Sequence, residues 1–139
     1  MDYWQRVLAL QARVPLAAVA AQVAAMTRFR QALADRRLPA TPLPRLGIDA
    51  SLYAQALLAG VAEADIRALD ALLRNFRQYL AYHYGMWASV TQQLFATWQQ
   101  LFGPLRYLEV AAGNGYLSAG LRAPGRQAQI GRASWRAGA

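Results

Sequence analysis

The residues best suited to chemistry lie in the run LEVAAGNGYLS, Leu108 to Ser118. Glu109 sits in a short apolar segment, Gly113 and Gly115 flank Asn114, and an apolar stretch of helical character follows from Tyr116. Strand, glycine turn and helix in that order form a unit able to hold a nucleotide-like cofactor. Glycines let the backbone come close to a ligand, and a helix N-terminus presents N–H groups that have no partner within the helix. The dinucleotide fingerprint G-x-G-x-x-G requires a further glycine three residues after the second. Ser118 stands there, so that fingerprint fits imperfectly.

The spacing fits another pattern better. LEVAAGNGYLS resembles motif I of the class I S-adenosylmethionine-dependent methyltransferases, in which an acid is followed by any residue and then by G-x-G-x-G. Glu109 takes the acidic place, Ala111 stands in the first glycine place, and Gly113 and Gly115 take the second and third. The Ala111 departure is mild, since alanine still permits a close turn where the backbone angles are ordinary. The resemblance runs from Tyr107 to Pro124. It implies S-adenosyl-L-methionine as cofactor and Glu109, Ala111, Gly113, Asn114 and Gly115 as the residues that border it. In the family this turn lies against the methionine and ribose portions of the cofactor, and the acid shapes the turn. The helical first hundred residues also resemble the N-terminal cap that some of these enzymes place over the substrate side.

Few other residues offer chemistry. His83 is the single histidine and falls on an apolar stripe, where a packed, hydrogen-bonded role is the plainer reading. Tyr79, Tyr82, Tyr84 and Trp87 recur at helical spacing as core or interface residues, with a pocket lining as the alternative. Tyr3 and Trp4 are likewise packing candidates. There is no cysteine, which excludes disulfide and thiolate chemistry. Seven scattered acids and one histidine form no metal-ligand spacing, and no Ser-His-Asp set or paired carboxylates can be drawn.

The elements that must position the motif are mostly helical. The spacing predicts a first helix from Tyr3 to about Arg13 and a second from Pro15 to about Arg37. The second carries the stripe Leu16, Val19, Val23, Met26, Phe29 and Leu33. LPATPLPRLG is a loop, and a third helix starts at a cap, Asp49 or Ser51, and ends near Gly60. Ile66, Leu69, Leu73, Phe76, Leu80, His83 and Trp87 then alternate at spacings of three and four. Val90, Leu94, Trp98 and Leu101 extend the stripe. This predicts one long amphipathic helix, or two broken at Gly85, whose apolar face is a bundle core or a seam for a partner helix or second subunit. After Gly103-Pro104 the pattern becomes a strand over Arg106–Ala111, a turn, a helix over Tyr116–Arg122, and a vestigial second strand near Gln127–Ile130.

The expected architecture is therefore mainly α: a helical bundle of four or five helices over residues 1–103, then a partial Rossmann-like unit over 104–125 and an irregular basic tail over 126–139. No Asp or Glu follows Glu109, so the acid that holds the ribose hydroxyls in the family has no counterpart. The reading that follows is a truncated methyltransferase without independent activity, its methyl acceptor undefined. A helical protein–protein interaction module is the alternative. The net charge of +8 invites an anionic partner, but every basic residue is an arginine and only Arg36-Arg37 are adjacent. Dispersed charge argues against nucleic-acid binding. The most apolar run, Val14–Met26, is too short to span a bilayer, and the N-terminus lacks a signal-peptide pattern. A cytoplasmic protein, with a homo-oligomer or helical partner possible, completes the expectation.

Overall fold

A computed structural model describes residues 1–86, 91–102, 107–110 and 128–131, the last two stretches as backbone strands. The described residues hold six helices: α1 (Tyr3–Arg13), α2 (Ala17–Ala34), α3 (Ala50–Leu58), α4 (Glu63–Arg74), α5 (Phe76–Tyr84) and α6 (Gln92–Phe102). Two short strands, β1 (Tyr107–Val110) and β2 (Ala128–Gly131), follow. The chain divides into two units. One comprises Met1–Gln31 with Leu43–Tyr79, the other Ala32–Pro42 with Leu80–Ala139.

In the first unit α1 begins at a capping box. The Asp2 carboxylate accepts the Gln5 N–H at 2.8 Å, and the Gln5 side chain accepts the Asp2 N–H at 3.2 Å. Two N-terminal donors that the helix cannot satisfy internally are thereby paired. α1 packs on α4. Tyr3 donates its hydroxyl to the Leu72 carbonyl, while Arg13 reaches Asp65 at 3.4 Å, so the two helices run antiparallel. Val7, Ile66, Leu69, Leu73 and Phe76 are fully buried in this unit.

The second helix starts later than its sequence suggests. Leu16 N–H bonds back to the Val14 carbonyl across Pro15, a three-residue turn, and Ala20 N–H then opens the helix on the Leu16 carbonyl. Pro15 thus lies before the helix instead of in its first turn. The expected stripe is buried through Val19, Val23, Met26, Phe29 and Leu33, with Leu16 half-buried. α2 also ends short of Arg37. Arg36 adopts φ 56°, and the Arg36 and Arg37 N–H groups close on the Leu33 and Ala32 carbonyls. That is the paired-bond helix stop usually built on glycine. α3 is capped by Asp49 at Leu52 N–H, 2.8 Å, and stops in the same way at Gly60, φ +82°, with Val61 N–H on the Ala56 carbonyl.

The largest departure concerns the long amphipathic helix. It is three helices, interrupted at Asn75 as well as after Tyr84, where Gly85 takes φ 68°. Ile66, Leu69, Leu73, Phe76 and Leu80 keep the buried stripe, but His83 is exposed instead of packed. In α6 the expected phase fails. Phe95 is buried, whereas Leu94 and Leu101 face solvent. Thr91 sets this phase: its hydroxyl accepts the Leu94 N–H at 3.3 Å, and the Pro39 and Ala40 carbonyls accept Gln92 and Gln93 N–H. Trp87 and Val90 lie outside the described residues.

β1 and β2 pair in parallel, with Tyr107 opposite Ala128 and Val110 opposite Gly131. β1 covers Tyr107–Val110 of the strand expected over Arg106–Ala111, whose two end residues lie outside the described residues. The helix expected over Tyr116–Arg122 lies outside the described residues.

Candidate cofactor segment and the aromatic cluster

Of the residues singled out for the cofactor, Glu109 falls in β1, in register with Ile130 of β2. Ala111, Gly113, Asn114 and Gly115 lie outside the described residues. The register makes the two strands end level, at Val110 and Gly131. The chain therefore leaves β1 for the glycine segment at the carboxyl edge of a parallel pair. Ligands of parallel α/β sheets bind beyond that edge. Parallel neighbours also require a connection of a dozen or more residues, and residues 111–127 separate the two strands in the sequence.

A second gathering of chemistry-bearing groups lies in the first unit. The Tyr3 and Tyr79 rings stack with centroids 4.5 Å apart and planes 18° apart, and Phe76 lies 5.9 Å from Tyr79. Trp4 tilts against Phe76 at 6.2 Å. The Arg30 guanidinium sits 4.9 Å over the Trp4 ring and donates from Nε to the Tyr79 hydroxyl at 3.0 Å. Burial, reinforced by the neighbouring Tyr79, pushes the Tyr3 phenol far above the usual tyrosine range. The Tyr3 and Tyr79 hydroxyls and the Arg30 guanidinium all meet partners within the protein, so the cluster ties α1, α2 and α5 together. Tyr3, Trp4 and Tyr79 thus take the packing role that their spacing suggests. Arg30 was not legible as part of it, since it lies beside the apolar stripe of α2 and no local pattern marks a cation facing a tryptophan.

Two polar clamps hold the end of the proline-rich loop. The Gln22 side-chain amide donates to the Gly47 carbonyl and accepts the Gly47 N–H, both at 2.9 Å. Asp70 accepts the Ile48 N–H at 2.7 Å and the Arg74 Nε–H at 2.8 Å. Gly47 needs to be glycine: its φ is +132°, and a Cβ there would meet the Arg74 guanidinium at 3.1 Å. On the surface, the Tyr53 hydroxyl donates to Glu63 at 2.5 Å and Arg67 pairs with the same carboxylate at 2.6 Å. These two contacts, Tyr53 first, lower the Glu63 pKa from its ordinary value.

Among the described residues no three His, Cys, Asp or Glu side chains gather as a metal site, and no helix is long and apolar enough to cross a membrane. Compared with known proteins, the chain matches no family model, no curated protein and no solved structure.

Proposed function

We propose that the chain is S-adenosylmethionine-dependent methyltransferase-like, with Tyr107–Pro124 as the first strand, glycine turn and helix of a Rossmann-like cofactor unit. One observation carries this reading. β1 and β2 pair in parallel with level ends, so the motif leaves the sheet at the edge where parallel sheets receive ligands. Glu109 would support the turn from β1, while Gly113 and Gly115 would let the backbone approach and Ala111 and Asn114 would line it. The cofactor, when bound, would supply an activated methyl group on a sulfonium. What the protein then contributes is positioning, because alignment of donor and acceptor lowers this kind of barrier more than proton transfer does. The segment departs from the family at the end of β2. Gly131 is followed by Arg132 and no acid occurs beyond Glu109, so no carboxylate there holds the ribose hydroxyls.

The test is calorimetric titration with S-adenosylmethionine and with its demethylated product. Micromolar binding that is lost in Gly113→Phe supports the reading. Absence of binding by a protein that keeps its helical circular dichroism overturns it.

A helical interaction module is the second reading, favoured by apolar side chains in the open. Leu58 is 90% exposed at the end of α3, and Leu101 and Phe102 are 71% and 52% exposed at the end of α6. Isolated surface leucines are ordinary, but adjacent ones at a helix end suit a docking helix. A folded protein that ignores the cofactor would leave this reading standing.

A further inference from the structure

The interruption at Asn75 has no local cause. Sharp breaks in helices arise at proline, at glycine or serine pairs, at wide turns, or where a side chain inserts into the backbone ladder. Residues 63–84 contain no proline, glycine or serine. The apolar stripe keeps its three-and-four phase across the break, through Leu69, Leu73, Phe76 and Leu80, and all four are buried. By pattern alone, α4 and α5 should be one helix.

What stands at the break is Tyr3. Its hydroxyl donates to the Leu72 carbonyl, which lies in the last turn of α4 and would accept the Phe76 N–H in an unbroken helix. Its ring stacks on Tyr79, one turn into α5, while the adjacent Trp4 meets Phe76, the first residue of α5. One short segment thus engages the helix on both sides of the gap. Asn75 completes the local bonding, with its N–H on the Ala71 and Leu73 carbonyls and its own carbonyl accepting the Tyr79 N–H.

We propose that the segment Tyr3–Trp4 is a strap that holds α4 and α5 apart by drawing the Leu72 carbonyl out of line with the Phe76 amide, and that its release joins them into one continuous helix. The Tyr3 hydroxyl is the group that matters: a carbonyl can accept two hydrogen bonds, so it acts by turning this acceptor away from the helix ladder and not by filling it. A tyrosine hydroxyl is protonated at neutral pH, and the burial of Tyr3, with Tyr79 beside it, extends that range upward.

Amide hydrogen exchange in the full chain, with backbone carbon shifts of residues 72–78, reads the break. In Tyr3→Phe the ring stack remains and the donor is gone. Exchange of the Phe76 amide should slow on the order of tenfold or more, and the Asn75 shifts should move to helical values. Unchanged Phe76 exchange in a variant that still protects Leu69 and Leu73 overturns the proposal. Asn75→Ala provides the second arm and retains Tyr3. The break should persist there, and closure of the ladder in Asn75→Ala would assign the break to Asn75 and overturn the strap, even if Tyr3→Phe fails to fold.

Discussion

At the scale of single residues, the described surface is organised by a few polar groups with more than one partner. Glu63 is the clearest. Tyr53 and Arg67 converge on its carboxylate and lower its pKa. A carboxyl whose folded pKa is depressed stabilises the fold fully above its ordinary value, and the contribution is lost as pH falls through the lowered folded value. Tyr53→Phe removes the larger of the two causes. The Glu63 side-chain carbon, followed by NMR titration, should then show its midpoint rise toward the ordinary 4.5 while the Arg67 contact remains. A midpoint that does not move would assign the shift to Arg67 alone. The residues of the cofactor motif behave differently as sequence signals. Glu109 and the glycines stand out in the sequence because a cofactor-binding turn requires particular residue types at fixed spacing, and of these the described residues include Glu109 alone, in β1. Arg30, by contrast, contributes through a tryptophan on another helix, and Gln22 through the backbone of a glycine 25 positions away.

At the scale of elements, helix boundaries were legible where one residue type marks them. Asp49, offered in the sequence beside Ser51, caps α3, and Gly60 ends it; Asp2 caps α1 in the same way, while α4 starts from Ala62 with no side-chain cap. The stop of α2 carries no such mark, since Arg36 occupies the left-handed position that glycine usually fills. That conformation costs an L-residue about 1–2 kcal/mol. Arg36→Gly should therefore raise stability by about 1 kcal/mol, read as a higher urea midpoint at unchanged slope. A lowered midpoint would mean that the Arg36 side chain contributes more than the strain it carries. The break at Asn75 was illegible for a different reason. Apolar periodicity reports which face is buried, and that face stays in phase across the interruption. α6 fails in the opposite sense: its buried face is set by Thr91 and by carbonyls of residues 38–40, partners that lie more than fifty positions back in the chain.

At the scale of the whole molecule, charge is the dominant fact. Asp2 and Asp49 cap helices, while Asp35, Glu63, Asp65 and Asp70 pair with Arg37, Arg67, Arg13 and Arg74. These four pairs cancel, and the other eleven arginines, set against Asp2, Asp49 and Glu109, give the net +8; like charges oppose a compact state. Screening shortens from about 30 Å at 0.01 M salt to about 8 Å at 0.15 M. Raising salt over that range should lift the Tm by about 3 °C, corresponding to about 1 kcal/mol of relieved repulsion. A Tm that falls with salt would show that the surface ion pairs outweigh the repulsion. The mainly helical character was legible throughout, because alanine-rich runs with one apolar stripe leave little other choice. The contact between Tyr3 and Leu72 has one more consequence, which concerns time. The two residues are 69 positions apart, so at about 5–20 residues per second the ribosome takes roughly 3–14 s to deliver the acceptor after the donor. An isolated helix as short as α1, 11 residues, is marginal in water. α1 must therefore wait, largely unformed, for the carbonyl that fixes it, and it becomes one of the last parts of its unit to settle.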